Sequence, residues 1–273
     1  MNEGVITSRK NPRVKQVRSL RQRKQREATG LFLAEGIQPI GAAVQAAASG
    51  KTGTSIEYIF FSPELLTSDF AIRLVEDQAR QGTPCFSVSG DLFRSLAEKE
   101  NPQGILAAVR KKETRLEDLN PSRFPWGVAL ESSQDPGNIG TILRTLDGVG
   151  ASGLILIDSS ADPYHPSAVR ASMGALFWLP LARTSLGEFK QWARQHEYNI
   201  CGASSRGNKD YRSLPGYQLP LILLLGSERE GLSPAALEAC SELLSIPMQG
   251  RISSLNIAVA AGVMLYEIHA HLG

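Results

Sequence analysis

Apolar residues along this chain fall into two series of short runs separated by stretches with helical spacing. Leu31-Phe-Leu-Ala reads as a strand, the alanine-rich stretch 37–48 as a helix, and 56–61 as a second strand. A helix over 68–81, a strand at 84–88, a helix near 90–98 and a strand over 105–109 complete a small α/β alternation. Lys111 to Pro125 is charged, holds two prolines and lacks periodicity, which suits a linker. A second α/β series begins at Trp126, with a strand at 128–130, a helix over 138–149 and a strand at 154–157. A helix over 166–176, a strand near Leu179, a helix over 186–196 and strands at 199–203 and 221–225 follow. A helix near 234–241, a strand at 243–246 and a closing helix over 254–271 end the chain.

Ahead of both series, Val14, Val17, Leu20 and Gln25 recur at helical spacing among cations. Asn11-Pro12 supplies a cap and a first-turn proline, and Gly30 ends the pattern. The pattern therefore divides the chain into an arm (1–29), an α/β domain (30–110), a linker (111–125) and a larger α/β domain (126–273).

Composition adds two constraints. With 273 residues and 42% of them hydrophobic, the chain can bury two modest cores. No run approaches the roughly 20 apolar residues that cross a bilayer, and charges from Arg9 onward interrupt any signal core. A cytoplasmic location, or an organelle reached by another signal, is expected. Cys85, Cys201 and Cys240 are isolated, and the four histidines form no H-E-x-x-H element, so neither a disulfide framework nor a metal site is expected. His269 and His271 read as surface residues of the closing helix.

Net charge is only +2, but it is unevenly spread. Arg9, Lys10, Arg13, Lys15, Arg18, Arg21, Arg23, Lys24 and Arg26 follow one another without an intervening acid. Without those nine, the remaining basic residues are outnumbered by the 27 acids. A basic arm on an acidic body is the asymmetry expected of a nucleic-acid contact, although a solvated helix face or a disordered tail has the same composition.

Gly148-Val-Gly-Ala-Ser-Gly153 matches the dinucleotide fingerprint letter for letter. That fingerprint must follow a strand and open a helix, and here a helix precedes it and a strand follows. These glycines read as a helix end and a turn.

Three other segments carry more chemistry. Asp135-Pro-Gly-Asn138 turns out of a strand into a helix that bears Arg144, six residues beyond Asn138. Asn138 projects over the helix start only if it still lies in the turn; on local grounds alone it is a cap, and Arg144 a solvated arginine. The apolar strand 221–225 runs into Gly226-Ser-Glu228, a glycine turn carrying a carboxylate at a strand's carboxyl end, where α/β sheets bind ligands. Ile246-Pro-Met248 leads to Ser253, Ser254, Leu255 and Asn256, where either serine is a candidate cap and Asn256 falls in the first turn.

Together these segments resemble the three motifs of the SpoU (TrmH) family of RNA ribose 2′-O-methyltransferases, of the SPOUT superfamily. The resemblance covers nearly the whole chain, and the opening Ile6–Lys15 with Phe32–Gly36 resembles one rRNA-modifying branch. It implies a trefoil-knotted catalytic domain, a smaller N-terminal α/β substrate-binding domain, S-adenosylmethionine as methyl donor, and a homodimer with its active site at the interface. By motif position it assigns Asn138, Arg144, Glu228, Ser254 and Asn256 to the reaction centre. Ser204, Gly226, Ile246, Met248 and Leu255 are assigned to the cofactor, and Arg170 to the RNA, alongside the arm. One departure is Asp135, where many members carry asparagine, which bears on the turn geometry because a carboxylate cannot donate.

The resemblance further implies large-subunit rRNA as the target, with transfer RNA as the alternative, and no metal or membrane. The family assigns proton removal to Arg144, but a guanidinium stays protonated in proteins, so holding the phosphate or developing alkoxide is the competing role. A non-catalytic RNA-binding or ribosome-assembly protein would share the fold without needing these motif residues, and an oxidoreductase would rest on the misplaced glycine sextet alone.

Overall fold

The first apolar series becomes a four-stranded sheet in the computed structural model, which describes residues 4–112 and 114–272. Of the regions read above, Met1–Glu3 of the arm, Glu113 of the linker and Gly273 lie outside the described residues. In chain order the elements are α1 (Pro12–Ser19), α2 (Arg23–Thr29), β1 (Leu31–Glu35), α3 (Ile37–Ser49), β2 (Ile56–Phe61), α4 (Asp69–Arg80), β3 (Cys85–Ser87), α5 (Gly90–Leu96) and β4 (Ile105–Arg110). The strand order is β1-β4-β2-β3, with β4 antiparallel to both neighbours and β2 parallel to β3.

The arm is two helices where periodicity suggests one. Gln22 is extended, which breaks the helix after Leu20. The break has a partner: the Arg26 guanidinium donates to the carbonyls of Leu20 (2.9 Å) and Arg21 (2.7 Å). Val14, Val17 and Leu20 then join Phe60, Phe93 and Leu106 in one core. Burial of each such side chain contributes about 1.5–3 kcal/mol, so the arm folds as part of this sheet's core.

The second series continues with β5 (Trp126–Glu131), α6 (Pro136–Gly148), β6 (Leu154–Ile157), α7 (Pro166–Ala171), β7 (Leu181–Thr184), α8 (Leu186–Gln195), β8 (Asn199–Ala203), β9 (Lys209–Asp210), β10 (Leu221–Leu225), α9 (Pro234–Leu237), β11 (Glu242–Ser245) and α10 (Ile257–Leu272). Seven strands form a parallel sheet ordered β7-β6-β5-β10-β8-β11-β9. The near-continuous apolar strands Leu154–Ile157 and Leu221–Leu225 are buried along their whole length, as a sheet covered on both faces requires. The stretch 111–125 is more than a connector: it carries a 3-10 turn at Leu116–Asp118 and lends Leu119 and Phe124 to the larger core.

Further elements differ from the periodicity, among them the helix expected near 234–241, which ends at Leu237. The closing helix starts at Ile257, after the serines at 253 and 254. The strand expected near Leu179 begins at Leu181. The helix expected over 166–176 stops at Ala171, because Ser172 turns its hydroxyl back to the Val169 carbonyl (2.8 Å) and Met173 adopts a left-handed φ of 51°.

Packing divides the chain into Met1–Lys112 with Asp162–Trp178, and Glu113–Ala161 with Leu179–Gly273. Thus α7 leaves its sequence neighbours and closes over β1. Phe32 stacks with Phe177 and meets Tyr164, and Asp162 accepts two hydrogen bonds from Arg26 at 2.7 and 2.8 Å. Arg26 is 1% exposed and Asp162 7%. Burial raises the Asp162 carboxyl, but the Tyr164 N–H and the Arg26 guanidinium outweigh it and hold the pKa below the usual carboxylate value.

Asp162→Ala leaves a guanidinium buried without a counter-charge, and we expect it to cost about 3–5 kcal/mol. Because the folded pKa is depressed, the pair's contribution is complete above about pH 4 and is lost as pH falls through the lowered value. Denaturant titration from pH 7 to pH 3 should therefore show a steeper acid-dependent loss in the wild type than in Asp162→Ala, which keeps other low-pKa carboxylates such as Glu228. Equal slopes would remove Asp162 from acid sensitivity.

Candidate active site

Strand β10 lies between β5 and β8, pairing Leu225 with Leu130 of β5 and Ala203 of β8. The sheet order therefore brings the loop after β5 beside the loop after β10, at the carboxyl ends where α/β sheets form crevices. Two carboxylates tie the loops in opposite directions. Glu131, buried at the end of β5, accepts the Ser233 N–H at 2.9 Å. Glu228, after β10, accepts from the Ser133 hydroxyl (2.9 Å), the Gln134 N–H (3.0 Å) and the Asn138 side-chain amide (3.0 Å).

The relay continues. Asn138 is buried in the first turn of α6, and its carbonyl accepts from the Asn256 side-chain amide at 3.1 Å. Asn256 in turn caps α10 by accepting the Ala258 N–H at 2.9 Å. Neither Ser253 nor Ser254 performs that role, and Ser254 is exposed outside the helix. Asp135 caps α6 through the Gly137 N–H (2.8 Å), a bond that needs only an acceptor, so aspartate serves here as asparagine would. Burial raises the Glu228 carboxyl, but the Gln134 N–H, the Asn138 amide and the Ser133 hydroxyl together hold its pKa below the usual value.

Arg144 stands exposed on α6, with no hydrogen bond or ion pair to other described residues. Ser204, Gly226 and Ile246 follow the three neighbouring strands β8, β10 and β11, and the Ser204 N–H bonds the Leu244 carbonyl at 2.9 Å. At Gly226 any Cβ would stand 2.0 Å from the Gly231 backbone, so the turn carrying Glu228 closes only over glycine. Met248 and Leu255 lie half-buried on the segment between β11 and α10. The Gly148–Gly153 sextet ends α6 and turns into β6, with Gly150 at a φ of 69°.

The arm cations do not act as one set. Arg9, Lys10, Lys15 and Lys24 are exposed, while Arg23 pairs with Glu27 and Arg13 lies over the Tyr58 and Phe86 rings. Arg18 donates to the Ser95 hydroxyl, and Arg21 to the Leu96 and Ala97 carbonyls. Arg26 corrects the sequence expectation: its guanidinium is buried against Asp162, so it cannot present charge to RNA. Arg170 is half-exposed, 3.8 Å from Glu98.

The model of the SpoU rRNA Methylase family matches residues 125–266, which hold the whole relay, and that of the MRM3-like substrate binding domain matches 11–107. The chain belongs to the SpoU rRNA methylase family. It is 35% identical to the 23S rRNA (uridine(2479)-2'-O)-methyltransferase of Streptomyces viridochromogenes, covering 96% of this chain and 90% of that protein. It is 29% identical to the 23S rRNA (guanosine(2553)-2'-O)-methyltransferase RlmP of Bacillus subtilis (strain 168), covering 96% and 98% respectively. Among solved structures, an AdoMet-bound rRNA methyltransferase from Sinorhizobium meliloti superposes with a TM-score of 0.86, at 33% identity, over 98% of this chain and 97% of its own.

Members of the SpoU family are methyltransferases, and S-adenosylmethionine is their methyl donor. The loop from Ile246 to Leu255 has the chemistry to receive it. Among the described residues, its backbone N–H groups find no hydrogen-bond partner, although Ile246, Met248 and Leu255 are half-buried. The amides of Ile246, Met248 and Leu255 are thus open to solvent or to a ligand, and an adenine edge offers both donors and acceptors. No group of His, Cys, Asp and Glu among the described residues could hold a metal.

Sequence reasoning missed Ser133 and Glu131. Both lie in the polar run at 131–135 that follows the strand, and nothing within that run marks the partner each one meets. Ser132 between them adopts a φ of 53°, a left-handed backbone that an L-residue adopts only when its surroundings impose it.

Asn256 joins a cap to a relay, and two substitutions separate them. Asn256→Ala should lower stability by about 1 kcal/mol. Asn256→Asp keeps the acceptor and should restore the melting temperature, yet it cannot donate to Asn138. The Asn138 side-chain amide resonances should therefore stay shifted in Asn256→Asp. Wild-type resonances in that variant would remove the relay.

Proposed function

We propose that this SpoU protein transfers a methyl group from S-adenosylmethionine to a ribose 2′-hydroxyl of large-subunit ribosomal RNA. The supporting observation is the fixed Glu228–Asn138–Asn256 relay in the first turn of the helix that carries the unpartnered Arg144. The 23S rRNA 2′-O-methyltransferases that match this chain nearly end to end favour the same substrate.

When bound, S-adenosylmethionine supplies a methyl group on a positively charged sulfur, already activated toward an oxygen. Ser204, Gly226, Ile246, Met248 and Leu255 would hold it, through the strand ends and the amides described above. Arg144 offers a planar fork of donors to the target phosphate or to the alkoxide developing on the 2′-oxygen. Because a guanidinium stays protonated, Arg144 stabilises that charge, and the hydroxyl proton leaves after methyl transfer. Asn138, engaged at both its amide and its carbonyl, orients the ribose or Arg144. Glu228 and Asn256 act through Asn138, and Ser254 lines the approach from the α10 side. Alignment of this kind can lower a barrier by about 7–11 kcal/mol. The exposed arm cations and Arg170 face the RNA.

Three further features belong to this reading. Two copies pair through α10, where Val259 and Tyr266 are 52% and 59% exposed on one stripe that also holds Gly262. The trefoil knot that this family reading carries would fall in the segment 246–256, between β11 and the α10 helix that packs on α6. On this reading the protein works beside its rRNA substrate in the cytoplasm, as expected from the rRNA-modifying relatives.

Labelled S-adenosylmethionine and total RNA from a strain lacking this gene test the reaction. Label should enter an alkali-resistant dinucleotide of 23S rRNA, and Arg144→Ala should reduce it about 100-fold or more without weakening cofactor binding. Unchanged turnover in Arg144→Ala would sink the assignment of that residue, and label in transfer RNA alone would redirect the substrate. Val259→Glu with Tyr266→Arg should convert a dimer to a monomer in sedimentation equilibrium; a monomeric wild type would remove the dimer.

A further inference from the structure

The unit formed by 1–112 and 162–178 carries a cleft of about 650 Å³ whose lining includes Gln38, Phe70, Lys99, Gln103, Arg170 and Met173. That volume suits a small organic ligand. Two of its walls are apolar and exposed. Phe70 is 52% exposed, and its ring lies over Gly41 of α3, where an added Cβ would sit 3.7 Å from the ring. Met173 is 37% exposed and holds its left-handed φ of 51°. The turn that imposes this is pinned on both sides. The Ser172 hydroxyl accepts the Gly174 N–H at 3.4 Å, and a Cβ on Gly174 would stand 2.5 Å from Ala42 of α3. A strained backbone therefore holds a flexible apolar side chain at the cleft.

The polar lining points to the occupant. Glu35 is the carboxylate among the lining residues, and it is engaged by the N–H groups of Glu98 (2.8 Å) and Lys99 (3.4 Å). The Gln103 carbonyl accepts the Ile37 N–H at 3.0 Å, which leaves its amide N–H groups to donate into the cleft. Gln38 is exposed without a hydrogen-bond partner among the described residues. A smaller pocket shares Glu35, Lys99 and Arg170 and adds Arg21, so the cleft runs toward a cation of the arm. Flat apolar surface, free amides, Lys99 and an Arg170 that stands half-exposed at a loose 3.8 Å from Glu98 match a nucleotide: a ring to stack, base edges to bond and a phosphate that competes with Glu98 for Arg170.

We propose that this cleft takes one unpaired nucleotide of the RNA substrate, its base against Phe70 and Met173 and its phosphate toward Arg170 and Lys99. The proposal rests on the RNA-methylating reading and adds a requirement for a single-stranded or bulged nucleotide near the target.

Fluorescence anisotropy on the full chain tests it, with a labelled mixed-sequence single-stranded RNA heptamer and a duplex of the same length. Phe70→Ala should weaken heptamer binding about tenfold, and Phe70→Tyr should restore it, with duplex binding and S-adenosylmethionine affinity unchanged. Equal heptamer binding by wild type and Phe70→Ala, an equal loss for the duplex, or no heptamer binding by the wild type would each overturn the cleft. A tenfold loss in a protein that methylates no RNA would instead keep the cleft and overturn the methyltransfer reading.

Discussion

The Glu228 carboxylate is the point on which the candidate active site depends. It is acceptor-only when ionised, and four donors from the loop after β5 and the start of α6 converge on it, the Asp135 N–H the longest at 3.4 Å. None of those donors is near it in sequence; they meet because β10 is inserted between β5 and β8. A hydrogen bond to a charged group contributes about 1.5–3 kcal/mol, enough to fix loops that would otherwise sample several conformations. The reciprocal bond from Ser233 to Glu131 removes the remaining freedom, so each loop is held by a carboxylate of the other strand. The left-handed Ser132 persists within this double tie, which is where strain can be maintained.

A second charge relation governs the smaller unit. Arg26 satisfies the carbonyls exposed by the break between α1 and α2 and then meets Asp162. One guanidinium thereby ends a helix, turns the arm onto the sheet and fastens the 162–178 segment beside β1. The same pair explains why the arm's charge is smaller in effect than its composition suggests. Arg26 is neutralised inside, Arg23 is paired with Glu27, and Arg18 and Arg21 are turned toward α5. The cations left free sit mostly at the start of α1, and Arg21 reaches the edge of the cleft that also holds Arg170.

Much of the fold was legible in local pattern. The unbroken apolar runs at 154–157 and 221–225 are strands buried on both faces, and the glycine sextet is the helix end and turn that its order implied. The three motifs were legible as chemistry-bearing turns at strand ends. What local pattern could not carry is adjacency. Nothing between residues 131 and 138 announces a carboxylate from residue 228, and Ser133 resembles any strand-end serine. The cap of α10 was misplaced for a related reason. Serines at 253 and 254 are good caps in isolation, yet the cap falls to Asn256, whose amide is also held by Asn138. Arg26 was read as a surface cation because its partner lies 136 residues away.

The relay also has a direction that constrains its chemistry. The Ala258 N–H donates to Asn256, the Asn256 amide donates to Asn138, and the Asn138 amide donates to Glu228. Every donor therefore points from the positive end of the α10 dipole toward the carboxylate, so each bond polarises the next. The sense of the chain settles the orientation of both asparagines, because turning either amide over would set a carbonyl against a carbonyl or an amide against an N–H. Aspartate at 138 would set a carboxylate beside Glu228, and a purely apolar residue would leave both ends open. Only a side chain that donates at one end and accepts at the other fits between a carboxylate and a capping amide. That requirement, together with the held orientation it produces, is why asparagine at 138 is a chemical necessity of this sheet order rather than one helix cap among several.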